Sequence, residues 1–216
     1  MKTTKIVLII IFVLFPLILN AQVFIGGSFG LNTSGGSIDN GNVTTDKPSS
    51  VSFNLSPMIG KFLSDNVAVG AVINFSLSRN NNNGTPEIIN TGSTIGITPF
   101  LRYYAIKMDK FSIFGQGNVG FSYTGSTSKV DGTSTDGPKT ASFFLNVMPG
   151  LAYDVSSRLS LETNINFLNF GLTYNVVKTG TDSNRTTNFG VGAGFSNLVT
   201  VGTISIGAIY KFWYKN

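Results

Sequence analysis

The chain has no cysteine and no histidine in 216 residues. The first absence excludes a disulfide framework and thiol chemistry together. The second removes the base that acyl-transfer and hydrolytic sites most often use near neutral pH, so neither an enzyme of those types nor a cofactor is expected. Charge is scarce too: Asp, Glu, Lys and Arg make up 12% of the chain, about half of the usual ~25%. The few cations are not clustered, so nothing resembles a nucleic-acid footprint. Beyond residue 21 no apolar run is long enough to cross a membrane as a helix, which takes about 20 residues. A chain this poor in charge, and without such a run, must place its apolar residues by alternation.

What is present begins with a leader. Lys2 and Lys5 precede an apolar run from Ile6 to Leu19, and Ala21 offers a cleavage point, although Leu19 departs from the small residue usual at its position. Residues 1–21 therefore read as a secretory signal peptide, too short to anchor, and 22–216 as one domain. Losing Lys2 and Lys5 lowers the net charge from +5 to +3, a mild basic balance.

From residue 22 onward, long polar connections at 33–50, 79–92, 125–140 and 175–188 alternate with tight ones at 63–66, 105–110 and 155–158. An antiparallel barrel threaded through a membrane requires this alternation, with turns in the periplasm and loops outside. Strands are predicted near 22–32, 51–62, 67–78, 94–104, 111–124, 143–154, 159–173 and 189–212. The expected fold is all-β: an eight-stranded antiparallel up-and-down transmembrane β-barrel, with ten strands the less favoured alternative. The last segment is too long for one crossing, so Ser196-Asn197-Leu198 marks either a bulge or a strand projecting beyond the membrane.

Period-two patterning supports these strands. In 67–78, Val67, Val69, Ala71, Ile73, Phe75 and Leu77 share a face opposite Ala68, Gly70, Val72, Asn74, Ser76 and Ser78. Segments 94–104 and 143–154 repeat the pattern. Pro57, Pro99 and Pro149 each lie five residues before the end of a strand, on the apolar face. Proline lacks a ladder donor, so three at one height suggest a ring of bulges or a shared break. Aromatic girdles are expected from Phe62, Tyr103, Phe111, Tyr153, Tyr210 and Trp213 at one end and Phe75, Tyr123, Phe143 and Tyr174 at the other.

The segments QVFIGGSFGLN, SPMIGKF, TPFLRYY, FSIFGQGNVGFSY and ISIGAIYKF resemble the PorT-like outer-membrane β-barrel domain, a small, OmpX-like barrel family of Gram-negative envelopes. The resemblance covers nearly all of 22–216. It implies an outer-membrane barrel, most of whose relatives have no assigned activity and some of which serve protein secretion. Phe212 resembles the aromatic residue that closes the last strand for insertion, here followed by Trp213-Tyr214-Lys215-Asn216.

Motifs that look chemical lose their meaning in context. Gly115, Gly117 and Gly120 spell GxGxxG, but strand and loop follow where a dinucleotide site needs a helix. Gly26, Ser28 and Gly30 spell GxSxG without a histidine partner. Ser126 and Lys129 match SxxK alone. The loop carboxylates Asp39, Asp46, Asp131, Asp136 and Asp182 lack calcium-loop spacing, and no metal site is expected.

Four charges fall on the predicted lumen face near the turn end: Arg102, Asp154, Glu162 and Lys211. The expected pairs are Glu162 with Lys211 and Arg102 with Asp154. Together with Gln116, Asn118, Asn146, Asn164 and Asn166 they would form a lumen plug, since buried charges need partners. A selectivity ring in a narrow pore is the other reading.

The expected function is that of a non-enzymatic integral outer-membrane protein with a structural or surface-interaction role through its four long loops, including a secretion-associated one. A narrow small-solute channel and a soluble lipocalin-like carrier are the alternatives. Expected partners are outer-membrane lipid and lipopolysaccharide, with a protein at the loops; the chain is expected to be a monomer.

Overall fold

A computed structural model describes residues 22–41, 44–164, 168–193 and 205–212. The expected leader, Asn166, Ser196-Asn197-Leu198 and Trp213 lie outside the described residues.

All regular structure among the described residues is strand. In order these are β1 (Gln22–Ser34), β2 (Ser37–Asp39), β3 (Thr44–Asp46), β4 (Ser49–Phe62), β5 (Val67–Asn81), β6 (Ile88–Met108), β7 (Phe111–Val130), β8 (Thr133–Asp154), β9 (Leu159–Asn164), β10 (Leu168–Thr179), β11 (Asp182–Ala193) and β12 (Ser205–Lys211). β2 and β3 pair with each other as a separate hairpin. The rest form one antiparallel sheet.

Following that sheet through β1, β4, β5, β6, β7, β8, β9 and β12 returns to β1, where Phe24 pairs with Lys211 and Ser28 with Gly207. Eight strands thus close a barrel, the count the alternation predicts. The expected seventh strand comprises β9 and β10, which pair with successive lengths of β8. The expected eighth comprises β11 and β12.

The long polar connections differ from expectation. Strand pairing continues through most of them, so that β7 and β8 meet in a two-residue turn, Asp131-Gly132. Asp131 has φ 46° and Gly132 φ 90°, the positive values that a tight hairpin turn needs. β10 and β11 meet at Gly180, φ 60°, in the same way. Only residues 82–87 remain between β5 and β6. β6, β7 and β8 run 21, 20 and 22 residues, where about 9–11 tilted residues cross a bilayer. The surplus is projecting hairpin rather than loop.

Side chains alternate as the period-two faces require. On β6, Thr98, Phe100, Arg102 and Tyr104 are buried in the lumen while Ile95, Ile97, Leu101 and Tyr103 stand outward. The ladder skips Ser56-Pro57 opposite β5 and Thr98-Pro99 opposite β7, then resumes in the same register. Prolines 57 and 99 therefore break the ladder without a bulge, because each removes a donor and adds no residue. The register shifts lie elsewhere, at Tyr104/Ile106 and Gly125/Thr127.

The core sits inside the turn end of the barrel and consists of Phe24, Phe100, Tyr104, Phe114, Ile209 and two alanines, with Phe62 packed against it. Its packing depends on glycines placed directly across the ladder. Phe24 pairs with Gly60, Phe100 with Gly70, Phe114 with Gly150, and higher up Phe144 with Gly120. In each case a Cβ on the glycine would stand 2.0–2.5 Å from the ring, so the ring lies flat over bare backbone. An eight-stranded lumen has room for such rings only where the facing wall carries no side chain.

Candidate functional site: the lumen floor

The inward alternation of β6 delivers Arg102 into the lumen, and β9 delivers Glu162 to it from the opposite wall. Arg102 Nη1 donates to Glu162 Oε1 at 2.6 Å and Oε2 at 2.7 Å. Its Nε and Nη2 donate to Gln116 Oε1 at 2.9 and 2.7 Å, and Nη1 also reaches the Tyr104 hydroxyl at 3.1 Å. The guanidinium lies 4.2 Å from the Phe114 ring centre. From Gln116 the chain of bonds continues along the wall, Nε2 to Asn118 Oδ1 at 2.8 Å, then Asn118 Nδ2 to Asn146 Oδ1 at 2.7 Å. A second polar run, Ser56 to Asn74 to Thr98, lies on the wall nearby.

The other two charges meet nearer the turns. Lys211 Nζ stands 2.8 Å from Asp154 Oδ1, which also accepts a bond from Ser160 Oγ. All four sequence-identified charges face the lumen end, but with partners exchanged: Arg102 pairs with Glu162, and Lys211 with Asp154. Register explains the exchange. Glu162 is level with Gly207, four residues from Lys211 on β12, which is about 13 Å along a strand. Asp154 and Lys211 flank the first residues of β9 from either side, at one height.

Gln116, Asn118 and Asn146 take the hydrogen-bonding part expected of them, whereas the buried Oδ1 of Asn164 has no partner among the described residues. Tyr104, Phe114 and Ser160 were not singled out from the sequence, although Tyr104 lies on the lumen face of 94–104. Phe62 points inward instead of joining a girdle, packing 5.3 Å from Phe24 and 5.7 Å from Tyr104. Its parity matches Met58 and Gly60 on the inner face of β4. GxGxxG, GxSxG and SxxK all lie on strands β7 or β1. No group of three metal-ligating residues occurs among the described residues.

The outer wall is the reverse of the lumen. Ile25, Leu55, Ile73, Leu101 and Phe121 are among many large apolar residues left 40–57% exposed. Aromatic rings border this belt: Phe111 with Tyr153 and Tyr210 with Phe212 at the turn end, Phe121 with Phe143 toward the hairpins.

No family model matches the chain, and no curated protein does. Solved structures do. Neisserial surface protein A is 14% identical over 88% of this chain and 97% of that one, with a TM-score of 0.40. A major outer membrane protein from Thermus thermophilus is 12% identical over 89% and 100%, with a TM-score of 0.48. The attachment invasion locus protein of Yersinia pestis is 12% identical over 90% and 100%, with a TM-score of 0.40. The eight-stranded closure itself stands on this chain's own strand register.

Proposed function

We propose that the chain is an integral outer-membrane barrel without catalytic activity, acting through the surface of its projecting hairpins. One observation carries this reading: the outer wall is a broad apolar belt, while the interior holds the paired charges and amides above an aromatic layer at the turn end. A lipocalin-like carrier needs the opposite, an apolar cavity behind a water-facing wall. Here Ile73, Ile97 and Leu101 stand outward while Asn74, Thr98 and Arg102 fill the interior. An exposed apolar belt of this extent belongs in lipid. The absence of histidine and the mutual pairing of the lumen charges support a non-catalytic interior. The hairpins of β6, β7, β8, β10 and β11, with their exposed polar residues, offer the surface for a partner outside the cell.

The chain has no native cysteine, so topology is directly testable. With Ser134→Cys or Thr181→Cys, intact cells should label with an impermeant maleimide, and Asn66→Cys should label only after lysis. Thr181 is preferred to Gly180, whose φ of 60° disfavours a side chain. Heat-modifiable migration and membrane fractionation complete the test; labelling of Asn66→Cys alone on intact cells, or recovery in the soluble periplasm, refutes the reading.

A further inference from the structure

Two cavities occupy the lumen, one on each side of the Arg102–Glu162 pair. The upper one, about 450 Å³, is lined by polar side chains such as Asn74, Thr98 and Asn118 together with Met58, Phe144 and Met148, with the ion pair at its base. The lower one, about 650 Å³, is lined by Tyr104, Lys107, Asp154 and Lys211 and reaches the exposed turn residues Asp65 and Asp109. Glu162 is the single residue that lines both. The two cavities therefore adjoin at Glu162. Above the upper cavity the inward positions Ser52, Ser76, Gly92, Thr124 and Thr140 are small and half-buried, so among the described residues no large side chain blocks the way up.

The two halves of the pair are held unequally. Arg102 is anchored to its own wall by Gln116 and Tyr104 and by stacking on Phe114. Among the described residues Glu162 is held by Arg102 and by a long bond from Tyr104 at 3.5 Å. Glu162 is thus the half that can turn into the lower cavity. That cavity carries Asp65, Asp109, Asp154 and Glu162 against Lys107 and Lys211, a negative balance. Among the described residues the upper cavity has no charges besides the pair.

We propose that the lumen is a closed pore for small cations, with the Arg102–Glu162 pair as its gate. Carboxylates lining a narrow pore favour cations, and two cavities that adjoin at one ion pair become continuous when that pair is displaced. The inference rests on the membrane-barrel reading but fails separately from it: heat-modifiable migration reports the barrel, conductance the gate.

The test is conductance in a planar bilayer under a KCl gradient, with wild type, Glu162→Ala and the double variant Arg102→Ala/Glu162→Ala. The double variant leaves no orphaned charge, so it keeps the test open if Glu162→Ala does not fold. Wild type should stay near baseline. The folded variants should conduct at least tenfold more, and the double variant, in which Asp65, Asp109 and Asp154 still outnumber Lys107 and Lys211, should show a reversal potential on the potassium side. A folded, heat-modifiable double variant that conducts no better than wild type overturns the gate. So does a wild type that already conducts as the variants do, and a chloride-side potential in the double variant overturns the cation assignment.

Discussion

The sharpest energetic consequence of the lumen floor is that losing one charge should cost far more than losing both. Arg102 and Glu162 side chains are 3% and 7% exposed, so each is a nearly dehydrated ion neutralised by the other. Glu162→Leu removes two charge-assisted bonds and leaves the guanidinium with Gln116 and Tyr104, neutral partners that cannot balance it. Breaking a buried pair in this way costs about 3–5 kcal/mol. Arg102→Met alone orphans the carboxylate and should cost a similar amount. In Arg102→Met/Glu162→Leu neither charge of the pair remains, and apolar side chains fill the layer above Phe114 and Tyr104. Such replacements are often neutral within about 1–2 kcal/mol, so the cycle should return a coupling of roughly 3 kcal/mol or more. Reversible urea unfolding of the barrel in lipid vesicles, followed by the fluorescence of the single tryptophan, measures all four proteins. Because the pair is dry, its coupling should change little between low and high salt. A double variant as unstable as either single variant, or single variants within about 1 kcal/mol of wild type, refutes the reasoning.

Four further outcomes follow from the same geometry. Gly150→Ala would push a Cβ to 2.2 Å from Phe114, whose buried ring is pinned beneath Arg102, and should cost about 1–3 kcal/mol in the same unfolding assay. Gly120→Ala meets Phe144 at 2.0 Å, yet that ring borders the upper cavity and can swing into it, so the cost should stay below about 1 kcal/mol; equal costs would show that cavity space does not matter. Lys211→Met removes a pair whose side chains are 14% and 34% exposed, and should move stability by less than about 1 kcal/mol, a difference from Glu162→Leu that the same titration reads directly. Gly132→Val forces a β-branched residue to φ 90°, which should open the β7–β8 hairpin to limited proteolysis near 125–140 while leaving heat-modifiable migration unchanged.

The membrane part of this fold is legible in the sequence because each wall residue there meets one of two different media. Val67 to Leu77 and Ile95 to Tyr103 therefore carry their orientation in their chemistry. The same rule fails above the membrane, where both faces of a strand are wet. Residues 125–140 read as loop because Ser, Thr, Gly and Asp suit either face in water, although Asp131-Gly132 is a hairpin signal by its own backbone preference. The four lumen charges were legible as a set, since a charge at an inward position of a charge-poor barrel must find a partner. Which partner was not, because pairing depends on the relative height of strands, and that is fixed by register around the whole barrel. Phe62 was misplaced for a related reason: its distance from the strand end suggested a girdle, but its parity with Met58 and Gly60 puts it inside.

The register that exchanged the ion-pair partners also decides what the lumen can do. Had Arg102 met Asp154, both pairs would lie in one layer at the turns, leaving a single deep well above. Pairing with Glu162 instead lifts one bridge two residues above the other along β8 and β9, and the space between becomes a second cavity. The strand number holds the radius nearly constant, so side-chain size alone sets the occupancy at each height. Phenylalanines over glycines fill the wall around the floor, while serine and threonine leave the upper lumen wide. The two cavities adjoin at a carboxylate held across the lumen by an arginine. A barrel built only to be filled would gain more from a further phenylalanine–glycine pair at that height than from two buried charges, which are seldom the more stable choice. The floor is therefore the place in this interior where stability alone does not account for the residues present.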